Sequence, residues 1–265
     1  MSYDIPTARE RESRRGLRRS IDAREIMHGG WCQVPSSFAA EILSAAGCDW
    51  LCVDMQHGLI GYEEMRPMVQ AAAIRATPVL VRVPWNEPAA IMRALDAGAD
   101  GVIVPMVNSA GEAARAAGAC RYPPLGYRSW GPIRSTMAQP GFSAALGNQQ
   151  TVCLVMVETE QAVDAVDSIL AVAGIDGVFV GPNDLALSHA GSNAAAGTSP
   201  HDVEMIELVA RRCRERGLVA GIACRDADDA RRWQQVGYIL LALASDAALL
   251  GRAMTRTLSD ARDGS

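Results

Sequence analysis

The sequence predicts a closed α/β fold, a TIM (β/α)8 barrel with an extra N-terminal helical arm, and three observations carry that prediction. Short Val/Ile/Leu-rich runs alternate with Ala-rich helical stretches along the 265 residues. One helix-to-strand joint recurs as "AAGCDW" (Ala45–Trp50), "DAGADGV" (Asp96–Val102) and "AVAGIDGV" (Ala171–Val178), as repetition of a single βα unit would produce. The strand-like runs number eight, and eight βα units in about 250 residues describe this barrel. A doubly wound open sheet is the structural rival, but evenly used strands favour closure.

The arm comes first. "TARERESRRGLRR", Thr7–Arg19, holds six arginines against two glutamates and reads as a helix covering one end of the domain with a charged, solvated face. Strands are expected at Glu25–Gln33, Asp49–Met55, Pro78–Val83, Gly101–Val104, Thr151–Val157, Ile175–Val180, Leu218–Ala223 and Tyr238–Leu243. Helices fall between them. "PSSFAAEILSAAG" places Ser before an apolar-periodic segment and Gly at its end; "NEPAAIMRALDAG" and "NSAGEAARAAGAC" have the same capped form, and "SPHDVEMIELVARRCRERG" is the longest. In the recurring joint, Gly ends the helix ahead of a short turn. Arg121–Gln150 is polar and Pro/Gly-punctuated; it is expected to be irregular and to lie on the top side of the barrel. A single domain follows, with an arm at 1–21, a barrel at 22–250 and a helix or tail at 251–265.

Composition narrows the function classes. The chain is 49% hydrophobic with a net charge of −5, and no basic face beyond the arm suggests nucleic acid. No apolar run reaches membrane-spanning length, and no signal-peptide core follows Met1, so no membrane partner is expected. Seven scattered cysteines without a CxxC pair read as small core hydrophobes in a reducing cytoplasm. All 25 basic residues are arginine.

The polar strand-ends carry the chemistry. "LCVDMQHG" closes strand two with Asp54 and, just beyond, His57. "VLVRVP" sets Arg82 near the end of strand three, "TVCLVMVETE" runs apolar until Glu158, and "VGPNDLALS" places Asp184 after strand six. Strand alternation puts Val152, Leu154, Met156 and Glu158 on one face. Each residue has a structural reading. Arg82 could snorkel outward, Glu158 and Asp184 could cap helices, and His57 could be an ordinary loop residue. Four charged strand-ends on one rim, however, are expensive to bury unless a metal or charged ligand compensates them.

Two carboxylates with no adjacent thiol or second histidine suit a hard divalent cation such as Mg²⁺ or Mn²⁺, with positions left for water and a bidentate 2-oxo acid. Arg82 would stabilise an oxyanion on the keto group, and His57, oriented by Asp54, would move protons. Together these roles make a carbon–carbon lyase. With no lysine, neither a Schiff base with substrate nor an internal pyridoxal phosphate aldimine can form, so an aldolase reaction would need a metal.

"VDMQHG", "VLVRVP", "GADGVIVPMV", "RYPPLGYRSWGP", "MVET" and "GVFVGPNDLALS" resemble, in order and spacing from about Ile26 to Leu250, the HpcH/HpaI aldolase family of class II pyruvate aldolases. The resemblance implies cleavage of 4-hydroxy-2-oxo acids to pyruvate (or hydroxypyruvate) and an aldehyde through a metal-bound enolate, with Mg²⁺, Mn²⁺ or Co²⁺ as cofactor. It implies Glu158 and Asp184 as metal ligands, Arg82 on the pyruvyl oxygen, and His57 with Asp54 as a proton-transfer dyad. Trp31, Gly181 and Pro182 would flank the substrate, with Met156 beside them. The implied assembly is a homohexamer, a trimer of dimers that exchange the last helix. One departure is Met156 itself: some members carry Gln two residues before the metal-binding Glu, and a thioether cannot donate a hydrogen bond.

Other readings remain at this point. A phosphate-binding barrel would have glycine-rich loops after strands seven and eight, where "CRDADD" and "LASDAALL" are poor cradles. A CoA-thioester lyase of the citrate lyase or malyl-CoA lyase type would share the carboxylates. A non-catalytic 2-oxo acid binding barrel would bind without turnover.

Overall fold

In the computed structural model, which describes residues 16–190 and 199–263, eight parallel strands pair in sequence order and the last closes onto the first. They are β1 (Met27–Cys32), β2 (Trp50–Asp54), β3 (Val79–Arg82), β4 (Gly101–Val104), β5 (Val152–Val157), β6 (Gly177–Val180), β7 (Val219–Ala223) and β8 (Leu240–Ser245). The expected barrel forms, and each strand lies within or close to its predicted run. Thr7–Arg15 of the arm and most of the His189–Pro200 loop fall outside the described residues.

The repeated joint has a specific geometry. Gly47, Gly98 and Gly174 adopt φ of +96°, +96° and +95°, a left-handed conformation that turns the chain from helix towards strand and that side chains disfavour. Two residues later an aspartate reaches the preceding odd strand. Asp49 accepts the His28 N–H at 2.8 Å, Asp100 accepts that of Val79 at 2.8 Å, and Asp176 accepts that of Cys153 at 2.7 Å. Each main-chain amide of these aspartates donates back to the same residue's carbonyl. The unit therefore staples the start of an even strand to the start of its neighbour, and register is fixed at the amino-terminal rim.

Alternation divides the core into two layers. Trp31, Trp50, Cys52, Leu80, Leu154, Met156 and Phe179 belong to the barrel interior, whereas Val53, Val81, Cys153, Val155 and Val157 pack outward against the helices. Trp50 fills the interior against Gly29, where an added Cβ would lie 2.2 Å from its ring. At the bottom, helix α1 (Leu17–Asp22) inserts Leu17 and Ile21 into the interior cluster while Arg19 and Asp22 remain exposed. This described part of the arm covers one barrel end, as its pattern suggests.

The outer helices are α2 (Ser37–Ala45), α3 (Tyr62–Ile74), α4 (Pro88–Asp96) and α5 (Ala110–Cys120). Two short helices follow, α6 (Ile133–Ala138) and α7 (Ala144–Gln150), then α8 (Glu160–Asp164) and α9 (Val166–Leu170). The last four are α10 (Pro182–Ala190), α11 (Pro200–Glu215), α12 (Ala227–Val236) and α13 (Asp246–Asp263). Side-chain caps mark many starts: Ser36, Ser109, Ser143, Thr159, Ser199 and Asp226 each accept an amide of the first turn.

The segment Arg121–Gln150 differs from expectation in both content and place. It contains α6 and α7, and it lies at the bottom of the barrel, because it joins the end of α5 to the start of β5. Arg128 bonds Asp96 at 2.8 Å, Arg134 the Ala97 carbonyl at 3.1 Å, and Arg121 the Thr151 carbonyl at 2.8 Å, all at helix ends or strand starts. A chain leaving a barrel helix is already at the amino-terminal end of the next strand, so these residues do not border the carboxyl-terminal site.

Candidate active site

The predicted strand-ends converge at the carboxyl-terminal face, where the loops of such barrels build their sites. Asp54 and Arg82 are register partners at the ends of β2 and β3. Arg82, only 7% exposed, points inward rather than snorkelling between helices. Its Nε donates to Asp54 Oδ1 at 2.8 Å and its Nη2 to Oδ2 at 2.5 Å, a two-pronged match of guanidinium and carboxylate. Trp31 completes the group from β1. Its Nε1–H donates to Asp54 Oδ2 at 3.1 Å, and its ring lies 5.0 Å below the guanidinium carbon of Arg82.

Burial alone would raise the Asp54 carboxyl, but the Arg82 hydrogen bonds and charge outweigh it, helped by Trp31 and the His57 amide, and hold it at about 2. Asp54 is therefore a fixed anion matched to a fixed cation. The expected Asp54–His57 dyad takes a different form. Asp54 Oδ1 accepts the main-chain N–H of Gln56 at 3.0 Å and of His57 at 3.2 Å, forming an Asx-type turn. That turn shapes the loop and leaves His57 exposed at the rim. The aspartate positions Arg82 and the His57 backbone; its contacts do not run to the imidazole.

Glu158 stands one residue beyond β5 on the inward face and is 1% exposed. Thr159 caps the next helix, so Glu158 has no capping role; Asp184 sits in the first turn of α10 and is likewise not its cap. Glu158 Oε1 accepts the Met106 N–H at 2.7 Å. Its other oxygen, Oε2, is buried without a hydrogen-bond partner. Burial pushes this carboxyl up to about 7; the Met106 amide opposes that, and neighbouring Asp184 adds to it. Gly181 leaves the space open: a Cβ there would lie 2.7 Å from Glu158 Oε2 and 3.1 Å from Met156 Cε. Met156 is thus a wall of the same pocket, and Pro182 starts the helix that carries Asp184.

A lone oxygen on a buried carboxylate, a second carboxylate beside it and a glycine-made gap fit an oxygen-preferring divalent cation. Among the described residues no group of three or more His, Cys, Asp or Glu side chains forms a metal cluster. A site built on Glu158 and Asp184 would therefore leave most coordination positions to water and substrate, as a catalytic rather than structural ion requires.

Three participants were not apparent in the sequence. Met106 holds φ of +53°, and this unusual backbone aims its N–H at Glu158. Gln33 donates to Asp54 Oδ2 at 3.4 Å, while its own amide is taken at 2.8 Å by Asp246, the buried first residue of α13. Asp246 also accepts the Val34 N–H, which ties the last helix to the loop after β1. Only Pro105 hinted at an unusual turn before Met106.

Fold and rim together define a TIM-barrel protein with a two-carboxylate, arginine-anchored site. Residues 29–253 match the HpcH/HpaI aldolase/citrate lyase family, and the chain belongs to that family. It is 37% identical over 233 residues to a hydroxypyruvate/pyruvate aldolase of Rhizorhabdus wittichii, covering 88% of this chain and 93% of that one. It is 34% identical over 252 residues to a 5-keto-4-deoxy-D-glucarate aldolase of Salmonella gallinarum, covering 91% and 94%. A crystal structure of an HpcH/HpaI aldolase/citrate lyase family protein from Burkholderia cenocepacia superposes with a TM-score of 0.82 at 31% identity, covering 93% of this chain and 98% of that one.

Proposed function

We propose that this protein is a metal-dependent aldolase that reversibly cleaves 4-hydroxy-2-oxo acids to pyruvate or hydroxypyruvate and an aldehyde. The observation that carries the reading is the pairing, on one rim, of an inward guanidinium with a buried carboxylate that has an unpartnered oxygen. Membership of the family and the aldolases among its relatives support the same chemistry.

Glu158 and Asp184 would hold the divalent cation, Mg²⁺, Mn²⁺ or Co²⁺. Once bound, such an ion supplies Lewis-acid polarisation of a carbonyl. Arg82 commits Nε and Nη2 to Asp54, which leaves Nη1 to hydrogen-bond the 2-oxo oxygen where negative charge develops. Because Asp54 fixes the fork before substrate arrives, little reorganisation accompanies reaction. Trp31, Met156, Gly181 and Pro182 wall the pyruvyl portion and exclude water from it. His57, exposed at the rim on a loop pinned by Asp54, takes the proton of the substrate's 4-hydroxyl during cleavage and returns it in synthesis.

The assembly proposed is a homo-oligomer, a hexamer by family resemblance. Supporting it, α13 exposes Leu249, Leu250, Met254 and Leu258, an apolar stripe that a lone chain leaves in water. No described helix is long and apolar enough to cross a membrane.

Chelation tests the catalytic reading. EDTA should abolish cleavage of a 4-hydroxy-2-oxo acid and Mg²⁺, Mn²⁺ or Co²⁺ should restore it. Activity that survives chelation would refute the metal-dependent assignment.

A further inference from the structure

Gln33 stands one residue beyond the last β1–β2 pair, Cys32 with Val53, so its peptide has left the sheet. Three contacts hold it nonetheless. Its N–H donates to Asp246 Oδ1 at 2.8 Å, its carbonyl accepts the Leu59 N–H at 3.0 Å, and its side-chain Nε2 reaches Asp54 Oδ2 at 3.4 Å. One residue thus meets the start of the last helix, the far side of the His57 loop and the carboxylate that grips Arg82.

Asp246 anchors this arrangement. It follows Ser245, the register partner of Trp31, and so arrives beside the end of β1. Its carboxylate is 5% exposed and takes three main-chain donors, Gln33, Val34 and Ala247, at distances between 2.8 and 3.3 Å. Hydrogen bonds to an ionised acceptor are stronger than neutral ones, so a buried carboxylate that accepts three of them fixes the peptides around it.

The His57 loop is held from both sides. On the side nearer β2, Asp54 takes the N–H of His57 at 3.2 Å; on the side nearer α3, the Gln33 carbonyl takes that of Leu59. Gly58, between them, packs so closely that an added Cβ would stand 2.2 Å from the Asp54 carbonyl oxygen and 3.2 Å from Gln33 Cα. Asp54 binds the main chain of His57 and not its ring, so the main chain of this loop decides where the exposed imidazole stands.

From these contacts we infer that Asp246 is a positioning residue: through the Gln33 peptide it sets the place of His57 over the rim. On the lyase reading, on which this rests, His57 takes the 4-hydroxyl proton, and a proton is passed only within hydrogen-bond reach. Glu158 is held by Met106 and Arg82 by the Asp54 fork, so neither leans directly on Asp246. The Gln33 contact with Asp54 is the longest of the bonds on that carboxylate. Loss of Asp246 should therefore slow bond cleavage and leave pyruvate and cation binding intact.

Steady-state cleavage of 4-hydroxy-2-oxopentanoate by the full-length, Mn²⁺-loaded protein tests this. Asp246→Ala should lower kcat about tenfold or more, the scale of a misplaced catalytic group, with KM and pyruvate affinity unchanged. Asp246→Asn keeps an acceptor for the Gln33 amide and should recover most of the loss. In a His57→Ala background the Asp246→Ala change should slow the reaction no further, because both act through one imidazole. Amide hydrogen exchange at Leu59 should quicken in metal-free Asp246→Ala. Should that chain fail to fold, Gly58→Ala displaces the same loop with Asp246 in place and should show the same kcat loss, again absent without the imidazole. An undiminished kcat in the folded variant, or an equal loss with and without His57, would overturn the inference alone. A wild type that does not cleave the substrate would overturn the lyase reading and the inference with it.

Discussion

Glu158→Gln should stabilise the metal-free protein at alkaline pH while destroying its cation site. The carboxyl of Glu158 sits at about 7 in the fold, against its ordinary value of 4.5. In the window between these values the folded chain keeps a proton that the unfolded chain releases, so stability falls as pH rises through it. Above pH 7 the penalty is complete; below 4.5 it is absent. At about 1.36 kcal/mol per unit, the displacement corresponds to about 3 kcal/mol. Glutamine keeps an acceptor for the Met106 amide and is neutral at every pH, so it removes that penalty. For a domain of this size the gain is about 6 °C or more in Tm. Calorimetry in EDTA at pH 8 and pH 4 would read it. A gain at pH 8 that vanishes at pH 4 is expected, together with loss of the thermal shift that Mn²⁺ gives the wild type. Equal gains at both values, or destabilisation at pH 8, would refute the reasoning.

Two further substitutions probe the rest of the rim. Arg82→Lys keeps the charge but loses the fork that grips Asp54, and pyruvate methyl-group exchange with deuterium, followed by proton resonance, should fall about a hundredfold or more while circular dichroism is unchanged. Undiminished exchange would remove Arg82 from its role. Gly181→Ala places a methyl 2.7 Å from Glu158 Oε2 and should weaken Mn²⁺ binding about tenfold or more, measured by titration. Wild-type affinity in that variant would show that the gap is not where the ion sits.

Much of this architecture is legible in the sequence because the physics is local. Gly47, Gly98 and Gly174 mark the joints since only glycine takes φ near +96° freely, and period-two alternation along Val152–Glu158 sets the carboxylate inward. Arg82 was legible as inward only through its company of other charged strand-ends. Partner and place are set by tertiary structure instead. Asp54 has a histidine three residues away and an arginine on the next strand, and register selects the arginine. Composition marked Arg121–Gln150 as loop-like, but its end of the barrel follows from chain order, which places it below. Met106 is hinted at only by the preceding Pro105, because its part in the site is a backbone conformation and not a side chain.

The proposed chemistry depends on one cation per active site. Diffraction from crystals grown with Mn²⁺ and pyruvate, read at the manganese absorption edge, tests it most directly. The expected result is one anomalous peak per chain between the carboxylates of Glu158 and Asp184. A featureless map at that position from fully active protein would contradict the account.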